Sequence, residues 1–356
     1  MAATVKTAVS RIYTRRPLLS SPVRIASPFG VLSGGIGMFS ASPATAVASA
    51  TPAPDAETEA EPDPTTTAKA NYQIVQVSHN FKEIESTRQP FDHTNSPIPI
   101  TKSPYPEWEY GQGVPDNGIS ASRNHHEIDP YDSNRPVVNN YRLLVSAISP
   151  RPVGFLSTVS ADGRSENLAP FSYFQVIDHD PPMFILGFSS RPGVEKDTYR
   201  NLKETGECVI NTVSENMIEA VNAASIDAPY GVSEWEVSGL TKANSSTVRP
   251  GRVRESVFSV EGRVIDIKEF EPHSPGMSVG GVVLIKATRF WVAEGVADEE
   301  FSHIDLEKLR PVGQLGGIAY GRIASTFERP RKRWEEEVGR SEVLTELERR
   351  RGRPSD

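Results

Sequence analysis

The pattern of hydrophobic and polar positions separates a polar first third of the chain from a central region of short apolar runs and a charged end. Within the central region, residues 137–148 (VVNNYRLLVSAI) place apolar side chains at helical spacing. The runs PVGFLSTVS, NLAPFSYFQVI and MFILGFSS follow at residues 152–160, 167–177 and 183–190. Each has the length and composition of a β-strand, so the pattern predicts one helix followed by closely spaced strands.

The same pattern continues to about residue 300. It predicts helices over 198–206 and 215–226 and strands over 207–214, 256–270 and 279–296. Strands outnumber helices, and no alternation of strand and helix supports a parallel sheet. The sequence therefore favours a mainly β fold, an antiparallel barrel that is closed or nearly closed, with flanking short helices at its rim.

The first 70 residues differ in composition from the predicted barrel. Residues 1–54 contain five Lys or Arg and no Asp or Glu, and they are rich in Ser, Ala and Thr. This composition is typical of a mitochondrial transit peptide, and a disordered tail is the alternative. Residues 41–70 form a low-complexity linker of Ala, Pro, Thr and acids. We expect a disordered N-terminal region and a mitochondrial protein, with a cytoplasmic location as the alternative.

Three further regions complete the predicted organisation. Residues 71–135 are polar, contain many Pro, Asn and His, and are predicted to form an extended arm. The barrel domain spans 136–330. Residues 331–356 form a densely charged tail in which Ser341 could cap a short helix carrying Val343, Leu344 and Leu347. That helix is either solvated or a binding surface for a partner.

Charge and motifs exclude several classes of function. The 356 residues carry a net charge of -8, which argues against a nucleic-acid partner, and no run of 18 apolar residues predicts a membrane span. A single cysteine, Cys208, excludes an intrachain disulfide and a CxxC metal site; it is either a core residue or a reactive thiol. The chain has no GxGxxG, Walker, HExxH or GxSxG motif, so a nucleotide fold, a zinc protease and a serine hydrolase are unsupported.

The loop SSRPGVEKDT, residues 189–198, brings hydroxyls and basic groups to the start of a predicted helix. A helix start offers unpaired N–H groups and the positive end of a dipole, which suit a bound phosphate. The alternative is that Asp197 or Thr198 caps the helix. Upstream, Ser157, Thr158 and Asn167 place small polar groups within strands, which is typical either of a site for a flat heteroaromatic ligand or of ordinary barrel packing.

The run RPVGFLSTVSADGRSENLAPFSYFQVIDHDPPMFILGFSSRPGVEKDTYRNL, followed by ECVINTVS and IDLEKLRPVGQLGGIAY, resembles the flavin reductase-like FMN-binding split barrel family, which includes flavoredoxin. The resemblance covers about residues 137–330. It implies a six-stranded antiparallel Greek-key split barrel and a homodimer with FMN near the subunit interface. It also implies an FMN-dependent oxidoreductase that accepts hydride from NAD(P)H and passes electrons to flavin or a small acceptor.

Carried onto this sequence, the resemblance implies two groups of cofactor-binding residues. Those near the flavin ring and ribityl chain are Ser157, Thr158, Asn167, Leu168, Ala169, Ser172 and Phe174. Those that would hold the phosphate are Ser189, Ser190, Arg191, Lys196 and Thr198, with Asp197 orienting Lys196 or capping the helix. No catalytic residue and no metal ligand is assigned.

Two positions near the end of the domain remain open. Gln314 stands where family members often carry an arginine, so affinity or substrate choice could differ here, whereas Tyr320 matches the family. His303 is either part of a site or a surface helix cap. Because no nicotinamide-binding motif is evident, an FMN carrier or storage protein without efficient NAD(P)H turnover is the alternative function. A third hypothesis is an interaction protein that binds no flavin.

Overall fold

A computed structural model of the chain describes residues 80–193, 195–272 and 276–352. The predicted transit peptide, linker and disordered N-terminal region, residues 1–70, lie outside the described residues. The strands are β1 Ile100–Thr101, β2 Arg151–Pro152, β3 Gly154–Val159, β4 Glu166–Phe171, β5 Phe174–His179, β6 Pro182–Phe188, β7 Glu207–Thr212, β8 Lys242–Ala243, β9 Arg252–Val253, β10 Phe258–Phe270, β11 Gly280–Val292, β12 Val312–Gly316, β13 Ala319–Arg322 and β14 Thr326–Phe327.

The helices are short and lie between or beyond these strands. They are α1 Phe81–Ser86, α2 Val137–Ala147, α3 Asp197–Thr205, α4 Ile218–Ala223, α5 Glu234–Ser238, α6 Leu306–Leu309, α7 Trp334–Glu337 and α8 Glu342–Arg351. A 3-10 turn, Glu215–Met217, precedes α4. Among the described residues, no helix has the length and apolar character needed to cross a membrane.

Seven strands form one antiparallel sheet in the order β4-β3-β7-β10-β11-β6-β5. The two edge strands, β4 and β5, are consecutive in the chain, and only Ser172 and Tyr173 separate them. Adjacent Cα atoms are about 3.8 Å apart, so three steps keep Phe171 and Phe174 within about 11 Å. Opposite edges of the sheet therefore meet at this corner, which curls the sheet into a split barrel.

The mainly β split-barrel prediction is confirmed, with one difference in detail. The large sheet has seven strands, whereas the resemblance implies six. The run over 167–177, which the hydrophobic pattern joins into one strand, bends at residues 172–173 and contributes β4 and β5 to opposite edges.

Strand β3 is buried along its whole length because both of its faces are covered. Successive side chains of a strand point to opposite faces. Leu156 packs into a core cluster with Leu186 and Ile285 of the barrel, whereas Phe155 packs into a second cluster with Trp235 of α5. Strand β3 therefore joins the two cores. Truncating a buried aromatic such as Phe155 to alanine typically costs about 3–5 kcal/mol of stability.

Helix α3 closes one end of the barrel next to the predicted phosphate loop. Its buried face includes Tyr199, whose ring stacks on Phe188 at a centroid distance of 4.6 Å. The helix ends at Gly206, as predicted, where a φ of 68° is left-handed and costs glycine little. Burial of Tyr199 and Leu202 fixes the N-terminus of α3 relative to the sheet.

Helix α2 matches the predicted helix over 137–148, yet its apolar side chains lie on the surface. Among its described residues, only Val145 is buried. Val137, Tyr141 and Leu144 are between 52% and 59% exposed, and the following Ile148 is 64% exposed. An unpartnered apolar face of this size is typical of an interaction surface.

The polar segment before the barrel packs against the C-terminal tail. Strand β1 pairs in parallel with β14, and the Lys332 ammonium lies 5.8 Å from the centre of the Tyr110 ring. Helix α8 begins after Ser341, whose hydroxyl accepts a hydrogen bond from the Leu344 N–H at 3.4 Å. Leu344 is buried, so the two terminal segments contribute structure of their own beside the barrel.

Candidate functional site

A cavity of about 290 Å³ lies between β4, the N-terminus of α3 and the segment 224–234 that joins α4 to α5. This volume is at the lower end of the range for ligand-binding pockets, about 300–1,000 Å³. Six of the sequence-predicted residues line the cavity: Asn167, Ala169, Arg191, Lys196, Asp197 and Thr198. The structure therefore brings the basic loop and one strand of the predicted ring site together.

The N-terminus of α3 opens this site without a side-chain cap. Lys196 is the N-cap residue, with extended backbone (φ -67°, ψ 143°), and Asp197 is the first helical residue. The Lys196 side chain makes no capping hydrogen bond to the start of this helix. The alternative in which Asp197 or Thr198 caps the helix is therefore wrong, since both lie inside its first turn. Uncapped N–H groups and the positive dipole end favour an anion at this place.

The cations of the cavity differ in their partners. Arg191 donates from Nη2 to both carboxylate oxygens of Asp227, at 2.7 Å each. Arg200 lies over the Tyr230 ring, 4.4 Å from its centre. The Lys196 ammonium forms no ion pair within the described parts of the chain. It lies 5.9 Å from the centre of the Phe171 ring. Loss of solvent around the ammonium, and then the positive charge of Arg191, lower the pKa of Lys196 even though the residue as a whole is exposed, so an arriving anion would favour its charged form.

Thr198 is 1% exposed and is held by an amide network. Asn167 donates from Nδ2 to the hydroxyl oxygens of Thr198 at 2.8 Å and Thr158 at 3.4 Å, and Asn201 donates to Thr158 at 3.1 Å. Thr158 does not line the cavity. Its hydroxyl instead fixes the two amides behind it, so Thr158 acts one layer away from any bound ligand.

Ser157 lies on the opposite face of β3 from Thr158 because neighbouring strand residues alternate. Its hydroxyl donates to the carbonyl of Gly251, and the side chain is fully buried. The Leu168 side chain likewise packs in the second core, and its N–H donates to Oε2 of Glu234 at 3.1 Å. The structure therefore places neither Ser157 nor the Leu168 N–H where a ligand could reach it.

Ser172 and Phe174 occupy the corner where the sheet edges meet, outside the cavity lining. The Ser172 hydroxyl accepts from Nε of the buried Arg151 at 3.2 Å. Arg151 also donates to the Ile148 carbonyl at 2.7 Å, which ties the end of α2 to the corner. The Phe174 ring stacks on Phe184 at a centroid distance of 6.0 Å. Both predicted residues are used here for internal packing.

Four other positions from the sequence analysis also lie outside the cavity. Ser189 is exposed, and Ser190 packs beside Gly280, where an added Cβ would approach its hydroxyl to 2.9 Å. His303 is exposed, and α6 is capped by Asp305, so the helix-cap interpretation of His303 is wrong. The Gln314 amide donates to carbonyls of the β12–β13 turn.

The cavity also contains residues that the sequence did not suggest: Glu195, Arg200, Asp227, Tyr230 and Glu234. Three of them belong to the segment 224–234, which follows the phosphate loop by about thirty residues and reaches it only in the folded chain. No local motif marks them. In the part of the chain that the structure describes, no group of three His, Cys, Asp or Glu could hold a metal ion.

Comparisons with known proteins give the family of the chain. The model of the flavin reductase like domain matches residues 146–308, a stretch that contains every residue of the cavity. An uncharacterised protein of Halalkalibacterium halodurans is 38% identical over 195 residues, which cover 53% of this chain and 88% of that protein. An uncharacterised protein of Aquifex aeolicus is 35% identical over 182 residues, 51% of this chain and 88% of the relative.

A solved structure agrees with the sequence comparisons. Nitrilotriacetate monooxygenase component B from Bacillus cereus superposes with a TM-score of 0.54 at 29% identity, over 58% of this chain and all (100%) of that one. On sequence and architecture alike, the chain belongs to the flavin reductase-like domain family.

Proposed function

We propose that the protein is an FMN-binding oxidoreductase that accepts hydride from NAD(P)H and passes electrons to flavin or a small acceptor. The observation that carries the proposal is the cavity at the N-terminus of α3, inside a flavin reductase-like domain, next to Lys196, which forms no ion pair among the described residues. Similarity to a monooxygenase component supports redox chemistry. When bound, FMN would supply the hydride-accepting ring, and the chain would bind, orient and shield it.

The residues at the helix end fit a phosphate group. Lys196 offers an ammonium without an ion pair, and Arg191 keeps Nε and Nη1 for a ligand while Nη2 holds Asp227. Thr198 adds a buried hydroxyl, and the first turn of α3 adds backbone N–H groups. Hydrogen bonds between ionised partners are about twice as strong as neutral ones, so this end would anchor the cofactor.

The opposite walls of the cavity fit an uncharged ring. Ala169 and Pro170 of β4 face Ile226, Ala228 and other apolar residues of the segment 224–234 across the cavity. Asn167 uses its Nδ2 for Thr198 and Thr158, so its Oδ1 remains to accept a hydrogen bond from a ring N–H. Such a site needs no acid–base pair of its own, which agrees with the lack of a dyad among the sequence motifs.

The test is an absorption spectrum of the purified full-length protein, identification of any released pigment, and an assay of NADH and NADPH oxidation with added FMN. Bound FMN together with NAD(P)H oxidation supports the proposal. Tight retention of FMN without oxidation identifies a carrier or storage protein instead. A colourless protein that takes up no added FMN contradicts both functions and favours the interaction-protein hypothesis.

We also propose that the protein is a homodimer through α2. The exposed Val137, Tyr141 and Leu144 support this, since a free apolar helix face is costly in water. Leu144→Glu should convert the dimer to a monomer in light scattering, whereas Arg142→Gln, on the same helix, should leave it a dimer. A wild-type protein that is monomeric at micromolar concentration contradicts the proposal.

A mitochondrial location remains our proposal for the intact protein, supported by the basic, acid-free composition of residues 1–54. Fusing these residues to a fluorescent reporter tests it directly. Import of the reporter into mitochondria supports the proposal. The control is the same fusion with the five basic residues replaced by Gln, which should stay in the cytoplasm. An unmodified fusion that also stays in the cytoplasm contradicts the proposal.

A further inference from the structure

Glu234 is a buried acid in the wall of the cavity, and the proposed binding of FMN does not use it. Helix α5 places it there, and the residue is 5% exposed. Its Oε2 accepts a hydrogen bond from the Leu168 N–H of β4 at 3.1 Å. Within the described ranges, no Lys, Arg or His lies within ion-pair distance of its carboxylate. An ionised carboxylate in such a position is unfavourable, because burial removes water and the Lys196 charge, which acts on it from beyond ion-pair distance, does not fully compensate.

The titratable and charged groups that share the cavity with Glu234 come from three elements. They are Arg191 and Glu195 of the loop before α3, Lys196, Asp197 and Arg200 of α3, and Asp227 and Tyr230 of the segment before α5. Two acids are already neutralised by partners: Asp227 by Arg191 at 2.7 Å, and Glu195 by Lys203 at 2.7 Å.

The remaining charges of the cavity cancel when both acids are ionised. Lys196 and Arg200 are positive, and Asp197 and Glu234 are negative when ionised. A phosphate monoester adds about two negative charges at neutral pH. The cavity would then hold four negative charges against two positive ones. Removing one negative charge from the protein is the least costly way to restore balance, and a proton on the most buried acid does this.

Building on the proposed function, we propose that Glu234 is a specificity-determining residue that carries a proton whenever the cavity holds a phosphate-bearing ligand. Binding of FMN is then coupled to uptake of one proton at this carboxyl. The protonated acid keeps its carbonyl oxygen for the Leu168 N–H and turns a donor toward the cavity. Riboflavin, which lacks the phosphate, requires no such proton.

The free protein is already biased toward this state. Burial raises the pKa of Glu234, and the charge of Asp197 adds to that rise. The N–H groups of Leu168 and of Glu234 itself, and the charge of Lys196, oppose the rise without cancelling it. A phosphate beside α3 would raise the pKa further, because a second negative charge disfavours the ionised carboxyl. By linkage, FMN affinity then falls by up to about tenfold per pH unit as pH rises between the pKa of the free protein and that of the complex.

The variant Glu234→Gln separates this coupling from a merely structural role. Glutamine is neutral at every pH and retains an amide oxygen for the Leu168 N–H. We expect it to bind FMN more tightly than the wild type at alkaline pH and to lose this part of the pH dependence. The matched control is Glu236→Gln, which removes an exposed acid of the same helix, outside the cavity, and should retain the wild-type pH profile.

The experiment measures FMN and riboflavin binding calorimetrically, in two buffers of different ionisation enthalpy, between about pH 7 and 9, where the phosphate of FMN is fully ionised. Greater proton uptake with FMN than with riboflavin in the wild type, absent in Glu234→Gln, is expected. Equal proton uptake with FMN and riboflavin in the wild type overturns the inference. A Glu234→Gln variant that binds FMN more weakly than the wild type at every pH overturns it as well. A wild-type protein that binds no FMN overturns the proposed function as well.

Discussion

Two glutamates are buried to nearly the same extent but are treated in opposite ways by the structure. Glu261 of β10 is 0% exposed and Glu234 of α5 is 5% exposed. Glu261 accepts hydrogen bonds from the N–H groups of Ser246 at 2.8 Å and Thr247 at 2.6 Å, and from Nε1 of Trp291 at 2.6 Å. Glu234 accepts one bond from another residue, the N–H of Leu168.

The number of donors decides the protonation state. Burial raises the pKa of Glu261, but the bonds from Thr247, Ser246 and Trp291 outweigh it and lower the pKa to about 2. At Glu234 burial prevails and the pKa is raised. A carboxylate surrounded by donors belongs to the fold, whereas one with a single donor and a cavity in front of it is available to a ligand.

The largest effect should follow from Glu261→Gln. The amide would turn an N–H₂ group toward donors, leaving buried groups unpaired, so we expect a loss of about 2–4 kcal/mol in the free energy of unfolding. Urea denaturation measures it, with the exposed Glu236→Gln as control. Because the folded pKa lies below that of the unfolded chain, the contribution is present above about pH 4.3 and is lost as pH falls toward 2. If the difference in the free energy of unfolding between wild type and Glu261→Gln does not become smaller at acid pH, this explanation is wrong.

Replacement of Lys196 by alanine should have the largest effect on ligand binding. Loss of a charge-assisted contact to the phosphate should weaken FMN binding by about 10- to 100-fold, since such bonds contribute about 1.5–3 kcal/mol. Thr198→Ala should weaken it less. Fluorescence titration with FMN measures both, and Lys308→Ala, which removes an exposed lysine outside the cavity, serves as control. If FMN affinity is unchanged in both Lys196→Ala and Thr198→Ala, the phosphate does not bind at the N-terminus of α3.

The adjacent residues Ser157 and Thr158 offer a second contrast between a side chain that supports the fold and one that supports the binding site. Ser157→Ala removes the hydroxyl that donates to the carbonyl of the half-buried Gly251, so we expect about 1–2 kcal/mol of destabilisation and unchanged FMN affinity. Thr158→Ala removes the acceptor that holds Asn167 and Asn201, and FMN affinity should fall a few fold, by roughly 1 kcal/mol. Thermal melts and titrations of the two variants, side by side, test this. The reverse pattern would place the ligand on the other face of β3.

The smallest effect on stability is expected for Glu234→Gln. An acid whose folded pKa is raised destabilises the protein increasingly as pH rises above its unfolded value, about 4.3. Neutral glutamine removes that cost, so the variant should be as stable as the wild type, or more stable by less than about 1 kcal/mol, at pH 8. A clear loss of stability at this pH would show that the ionised carboxylate is structural after all.

Much of the barrel could be predicted from local sequence, and part of the site could not. The helix ending at Gly206 and the long strand ending at Phe270 were evident from periodicity and end signals. The bend at residues 172–173 was not evident, because the hydrophobic pattern of residues 167–177 does not change where the chain passes from one edge of the sheet to the other. Ser157 was assigned to the ring site with Thr158, although side-chain alternation along a strand separates them.

Local periodicity, a glycine suited to a left-handed turn and a basic loop before a helix were enough to predict strands, helices and a helix start flanked by basic residues, because each depends on neighbouring residues alone. The partners of that helix end were decided by the tertiary structure. Curling of the sheet and packing of α4 and α5 bring Asp227 and Glu234 to α3 across about thirty to forty residues of chain. Burial and the count of hydrogen-bond donors, which exist only in the folded chain, then distinguish the acid that supports the fold from the acid that faces a ligand.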